Sequence, residues 1–174
     1  MQIIAFVVGI LAVACFLLSY QQKKRGRIIL LNMTSRGLYI LQYIFLGAFD
    51  GAALDVSGFV ASFLAQKKDT PFIKKHLKLF ILGIDVIIIA SGLIFYRNIF
   101  SLFPIAGVLL HTSAFWLTDE KKIRIVSLLG SPFWLVFNIT SGAYGSAIGD
   151  TLSIVSIVVA MIRYDIMPLS KKDK

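Results

Sequence analysis

The stretch QIIAFVVGILAVACFLLSYQQKKRGR, residues 2–27, decides the fold. From Gln2 to Tyr20 no residue is charged, and Lys23, Lys24, Arg25 and Arg27 follow at once. An apolar block of seventeen or more residues, rising ~1.5 Å per residue as a helix, can cross ~30 Å of hydrocarbon. The cationic cluster behind it reads as the point where the chain leaves the bilayer. No Lys or Arg precedes the block, so it is expected to be a retained span rather than a cleaved leader.

Outward from this stretch, the same alternation of apolar block and polar connection fills the 174 residues. Seven spans are expected, at 2–20, 28–46, 48–66, 77–96, 101–117, 123–139 and 143–162. Hydrophobic residues make up 57% of the chain and charged ones 16%, against about 25% charged in a soluble domain. The net charge is +9, but the cations sit in short clusters between spans rather than on one continuous face. That arrangement sets nucleic acid aside as a partner and points to orientation in a bilayer.

With the N-terminus outside, the inward segments hold residues 23, 24, 25 and 27, then 67, 68, 74, 75 and 78, then 121, 122 and 124, then 163, 171, 172 and 174. Those sixteen cations face Arg97 alone on the other side, while Arg36 lies inside a span. The expected topology is therefore N-outside and C-inside. The inward lysines are expected to be solvated loop charges that meet anionic lipid head groups.

An internal repeat emerges when the chain is slid by 95 positions. Gly47-Ala48-Phe49 then falls on Gly142-Ala143-Tyr144, Tyr39 on Trp134, and Asp55 on Asp150. The fold class expected is all-α integral membrane, with two parallel triple-helix bundles joined by a linker helix. Residues 1–66 form the first triplet, 77–96 the linker, 101–163 the second triplet and 164–174 an inner tail. A shift of four spans leaves both triplets pointing the same way, as in transporters built from parallel repeats. Gly47 and Gly51, and likewise Gly145 and Gly149, have the small-xxx-small spacing that lets helices approach closely.

Several short motifs carry a family resemblance. They are Ser19-Tyr20-Gln21, the basic stretch 23–27, Phe45-Leu46-Gly47-Ala48, Leu102-Phe103-Pro104, and Trp134 with Asn138 ahead of Ser141-Gly142 and Gly145. Together these resemble the YgjV family of bacterial inner-membrane proteins, which is similar in architecture to the SWEET and PQ-loop carriers. The resemblance implies a 3+1+3 helix arrangement and a place in the bacterial inner membrane. A Pro-Gln pair is absent, and Ala65-Gln66-Lys67 stands where YgjV relatives would carry an arginine. No substrate is carried over from the resemblance.

Ionisable side chains inside a span cost about 2.5–3.5 kcal/mol on insertion scales, so each needs a reason. Arg36, Asp85 and His111 fall near mid-membrane, with Asp55 and Asp150 about two turns from the outer surface. These five are candidates for gating or coupling. Tyr39 with Tyr43, and Trp134 with Asn138, have i, i+4 spacing on the paired second and sixth helices, so each pair shares a face. A ring that stacks beside an amide that hydrogen-bonds suits a small polar solute, and these four are candidates for binding it.

Each residue also has a plainer reading. Arg36 with Asp85 or Asp55 can be a static pair, the aromatics can pack or anchor at the interface, and Asn138 can cap its helix. His111 can be a hydrogen-bonded interior histidine. Cys15 stands alone, and His76 and His111 are the only histidines, so no metal site and no cofactor is expected. There is no nucleotide-binding glycine loop, no HExxH and no Ser/His/Asp arrangement, which argues against an enzyme. The function expected is a transporter or facilitator of a small polar solute, sugar-like or similar, across the bacterial inner membrane by alternating access, with the lipid bilayer and that solute as partners and a homo-oligomer left open. The alternative is a membrane scaffold or partner subunit that transports nothing.

Overall fold

The computed structural model describes residues 2–47, 49–94, 96, 98–140 and 144–167, with side chains at all of these except 2, 46, 49–51, 138 and 144–146. Among the described residues there is no strand. The helices are α1 (Gln2–Tyr20), α2 (Arg25–Leu46), α3 (Phe49–Gln66), the short α4 (Pro71–Lys75), α5 (Leu77–Ile94), α6 (Leu102–Trp116), α7 (Glu120–Thr140) and α8 (Tyr144–Met161). A 3-10 turn at Ile99–Ser101 leads into α6, and a π turn at Ile162–Ile166 extends α8. In lipid, backbone N–H and C=O groups find no water, so helices that satisfy their own polar groups are the natural outcome of these apolar blocks.

Among the described residues, five segments are both long and apolar enough to cross a membrane: Ile3–Tyr20, Arg25–Phe45, Leu77–Ile94, Ile99–Trp116 and Ala147–Ile166. Two of the seven expected spans are not among them. The apolar run described in α3 is the shorter Ala52–Gln66. α7 opens with Glu120, Lys121, Lys122 and Arg124, and carries Pro132 in its interior.

Helix ends are set by local chemistry. α2 stops at Gly47, whose φ of 72° is left-handed and whose N–H reaches the Ile44 and Tyr43 carbonyls. A glycine takes that conformation without strain, and the chain can turn at once into α3. α7 starts behind Asp119, whose Oδ1 accepts from the backbone N–H groups of Lys121 at 2.9 Å and Lys122 at 3.3 Å. Asn98 caps the turn before α6 in the same way, accepting from the Phe100 N–H at 3.0 Å.

α2 packs against both α1 and α3, and α7 against both α6 and α8. α1 also meets α8, α3 meets α6, and α5 lies on α3 and α6. One apolar cluster, with Tyr20, Ile28, Ile29, Phe115, Ile123 and Ile157, gathers where α1 and α6 finish and α2 and α7 begin. A second, of Ala61, Ile84, Ile88, Ile105 and Val108, fastens α5 to the bundle. Large apolar side chains such as Ile3, Leu82, Leu129 and Val155 point outward and are exposed. Water would penalise such a surface, whereas hydrocarbon does not.

Candidate functional site

A cavity of about 630 Å³ opens between α1, α2 and α3 on one side and α6, α7 and α8 on the other. Its walls include Arg36, Tyr39, Tyr43, Asp55, His111, Trp134 and Asp150. Seven of the nine residues singled out by the sequence thus meet in one place. Asp85, on α5, is not in the wall, and the side chain of Asn138 lies outside the described residues. The sequence missed Gln42, Ser35, Ser131 and Ser153, which also line the cavity. For Gln42 a signal existed: it is a polar residue in an apolar run, three positions from Tyr39.

Arg36 resolves one alternative directly. Its Nη1 donates to Asp55 Oδ1 at 3.1 Å and its Nε donates to Asn32 Oδ1 at 3.2 Å. The pair is enclosed, with the two side chains 7% and 13% exposed. The partner is therefore Asp55 and not Asp85. The guanidinium lies over Gly58, where a Cβ would collide with it, so α3 makes room for the charge by carrying no side chain at that point. Gly107 does the same for the Trp134 indole.

Deeper in the cavity, His111 on α6 joins both groups of helices. Its Nδ1 lies 3.0 Å from the Tyr20 hydroxyl of α1, and its Nε2 lies 3.5 Å from the Ser131 hydroxyl of α7. Tyr39 and Tyr43 stack at 6.3 Å with an interplanar angle of 25°. Asn32 Nδ2 is buried on α2 without a hydrogen-bond partner among the described residues. Among the described residues, no three of His, Cys, Asp and Glu come together to hold a metal ion.

Beyond His111 the cavity ends at the apolar cluster around Tyr20 and Phe115, and behind that lies a layer of cations. Arg25 donates through Nη2 to the Ala65 carbonyl at 2.7 Å and the Phe115 carbonyl at 2.5 Å, and through Nε to the Leu117 carbonyl at 2.6 Å. Its backbone N–H donates to Glu120 at 3.0 Å. Arg124 donates to the Gln22 carbonyl at 2.8 Å and to Asp165 at 2.8 Å, and Lys68 donates to the Trp116 carbonyl at 2.7 Å. Each of these carbonyls lies at or just past a helix C-terminus, where main-chain oxygens lack an intrahelical donor and the dipole favours a positive charge.

This layer corrects the picture of solvated loop cations. Lys68 is 6% exposed and Arg124 is 1% exposed. Burial first, and the Arg25 charge second, hold the Lys68 pKa below its ordinary value. The helix α2 also begins at Arg25 rather than at residue 28, because the charge there has partners that replace water.

A search of curated proteins and a search of solved structures each return no match. A family model described as bacterial inner membrane protein, Imp-YgjV, matches residues 3–167. With that match spanning nearly the whole chain and five segments of membrane-crossing length and apolarity, the chain belongs to this family of bacterial inner-membrane proteins.

Proposed function

We propose that the protein is a non-enzymatic carrier or facilitator of a small polar solute, working by rocking of two triple-helix halves, α1–α3 and α6–α8, about the cavity between them. The observation that carries this reading is the cavity itself, whose polar wall is drawn from both halves and collects Arg36, Asp55, His111 and Asp150. Charged and polar side chains inside a membrane bundle characteristically mark a solute or ion path.

The parallel-repeat arrangement is supported by the helix limits and by burial. Adding 95 to the bounds of α3 returns those of α8, and α7 begins 95 residues after α2. Buried residues also recur at that interval: Ser19 with Ala114, Tyr20 with Phe115, Ile28 with Ile123, Asn32 with Ser127, Ala52 with Ala147, and Ala65 with Ala160. The cross-contacts α1 with α8 and α3 with α6 are the two that a pseudo-two-fold axis would exchange. α5, which has no counterpart, takes the place of the linker.

With the N-terminus outside, the cavity faces outward and the Arg25–Lys68–Arg124 layer closes the inner side. Rocking would part that layer and open the inner end. Tyr39, Tyr43 and Trp134 would contact the solute, and Arg36, Asp55 and Asp150 would respond to it.

The test is side-selective labelling of single cysteines at positions 39, 43 and 134 in a Cys15→Ala background, in sealed vesicles. Labelling of the same position from either side of the membrane is expected. Labelling from one side only, together with unchanged solute flux in Asp150→Asn, would favour the scaffold reading instead.

A further inference from the structure

We propose that one end of the bundle holds a specific site for the phosphate of an anionic glycerophospholipid, independent of any solute in the central cavity. The site is a second cavity, of about 390 Å³, where α1 gives way to α2, where α7 begins and where α8 runs into its π turn. It shares no lining residue with the central cavity.

Tyr164 is its fixed point. The hydroxyl donates to the Gln21 carbonyl at 3.0 Å, which pins the ring against the end of α1. Three cations gather on that ring, Arg124 and Arg163 each 5.2 Å from its centroid and Lys23 5.7 Å away. Each gains from the ring, but the three repel one another. Arg124 is answered by Asp165 at 2.8 Å. Lys23 and Arg163 are exposed, and among the described residues neither side chain has a hydrogen bond or an ion pair.

The carboxylates of the same cavity are already engaged. Asp119 Oδ1 accepts from the backbone N–H groups of Lys121 and Lys122, Glu120 Oε1 accepts from that of Arg25, and Asp165 holds Arg124. The lining side chains left without such a partner are cationic: Lys23, Arg163 and the exposed Lys121. One phosphate group accepts from several donors of this kind at once and relieves the repulsion among them.

The surroundings select a lipid over a free phosphate. Arg163 and Tyr164 stand in the last turn of the apolar segment Ala147–Ile166, which places the cavity at the edge of the hydrocarbon. Beside them Ile162, Ile166 and Met167 are exposed. An acyl chain can run along those side chains while its head group reaches the cations, and a soluble phosphate has no use for them. On the orientation proposed above this is the inner face, where basic pockets between helices take anionic head groups.

The experiment uses the full-length protein in a non-ionic detergent and reads Tm against added phosphatidylglycerol, phosphatidylcholine, glycerol 3-phosphate and inorganic phosphate. A ligand that binds only the folded form raises Tm with its concentration. Phosphatidylglycerol should do so, and the other three should have no effect at the same concentration. Lys23→Gln combined with Arg163→Gln should raise the phosphatidylglycerol concentration needed for a given shift about tenfold or more. Lys75→Gln combined with Lys78→Gln removes as many charges away from the cavity and should leave the response unchanged. If the first double variant does not fold, Lys23→Gln alone decides, with a weaker response than wild type expected.

No stabilisation by phosphatidylglycerol overturns the proposal. An equal loss in the two double variants overturns it as well, since it reduces the site to general attraction between a basic surface and anionic lipid. A response to phosphatidylcholine, glycerol 3-phosphate or inorganic phosphate as large as that to phosphatidylglycerol overturns the choice of ligand. None of these readouts involves the central cavity, so the carrier reading stands or falls separately.

Discussion

Arg36 of α2 and Asp55 of α3 form an enclosed ion pair at 3.1 Å inside the wall of the central cavity. The pair solves a physical problem for both residues. Each charge alone would be expensive at that depth, and the second guanidinium bond to Asn32 spreads the positive charge further.

Removing one member of a buried pair leaves an uncompensated charge, which typically costs about 3–5 kcal/mol. Arg36→Met should therefore lower stability by about 3 kcal/mol, and Asp55→Asn should do so as well. The double variant should recover a large share of the loss. A double-mutant cycle by thermal unfolding in detergent measures this, and additive losses would show that the two side chains do not interact.

The space for that pair comes from Gly58. Gly58→Leu should push the guanidinium off Asp55 and cost about as much as Arg36→Met. Gly83 on α5 provides the control, because nothing lies within 4 Å of a Cβ built there. Gly83→Ala should be neutral or gain up to ~1 kcal/mol from helix propensity. Equal effects at the two glycines would contradict the close approach at Gly58.

The cationic layer should govern access to the deep end of the cavity. A cysteine at position 131, in a Cys15→Ala background, should resist a membrane-impermeant thiol reagent applied from the side of Arg25 and Arg124. Adding Arg25→Gln, which removes three donated bonds to main-chain carbonyls, should raise the labelling rate from that side by tenfold or more. No change in rate would mean that the layer is not the barrier.

Lys68 gives a pH signature. Its folded-state pKa lies below the ordinary 10.5, so between the two values the unfolded chain binds more protons than the folded one. Stability then rises with pH across that window, and the gain is complete above 10.5. Thermal unfolding between pH 8 and pH 11, compared with Lys68→Met, isolates the effect: the wild type should gain stability relative to the variant as pH rises. A difference that is flat or falls with pH would remove the assignment.

Much of the helical layout was legible in the sequence because apolar block length speaks directly to helix length in lipid. Tyr39, Trp134, Arg36 and Asp150 could be singled out because polar and aromatic residues stand out against such blocks. Asp85 stood out for the same reason, yet α5 packs on the outside of the two groups and carries it away from the cavity wall. The cationic layer was illegible for a different cause. Arg25, Lys68 and Arg124 bind main-chain carbonyls of distant helices, and a carbonyl is present at every residue, so no side-chain pattern announces it. Composition alone makes Lys68 look like any other lysine in a loop.

The same choice of acceptor has an evolutionary consequence. A fastening made between two side chains is lost when either drifts, but Phe115, Trp116 and Leu117 can each be exchanged without deleting the oxygen that Arg25 or Lys68 grips. One half of the molecule is thereby free to change its chemistry while the other still knows where to hold it.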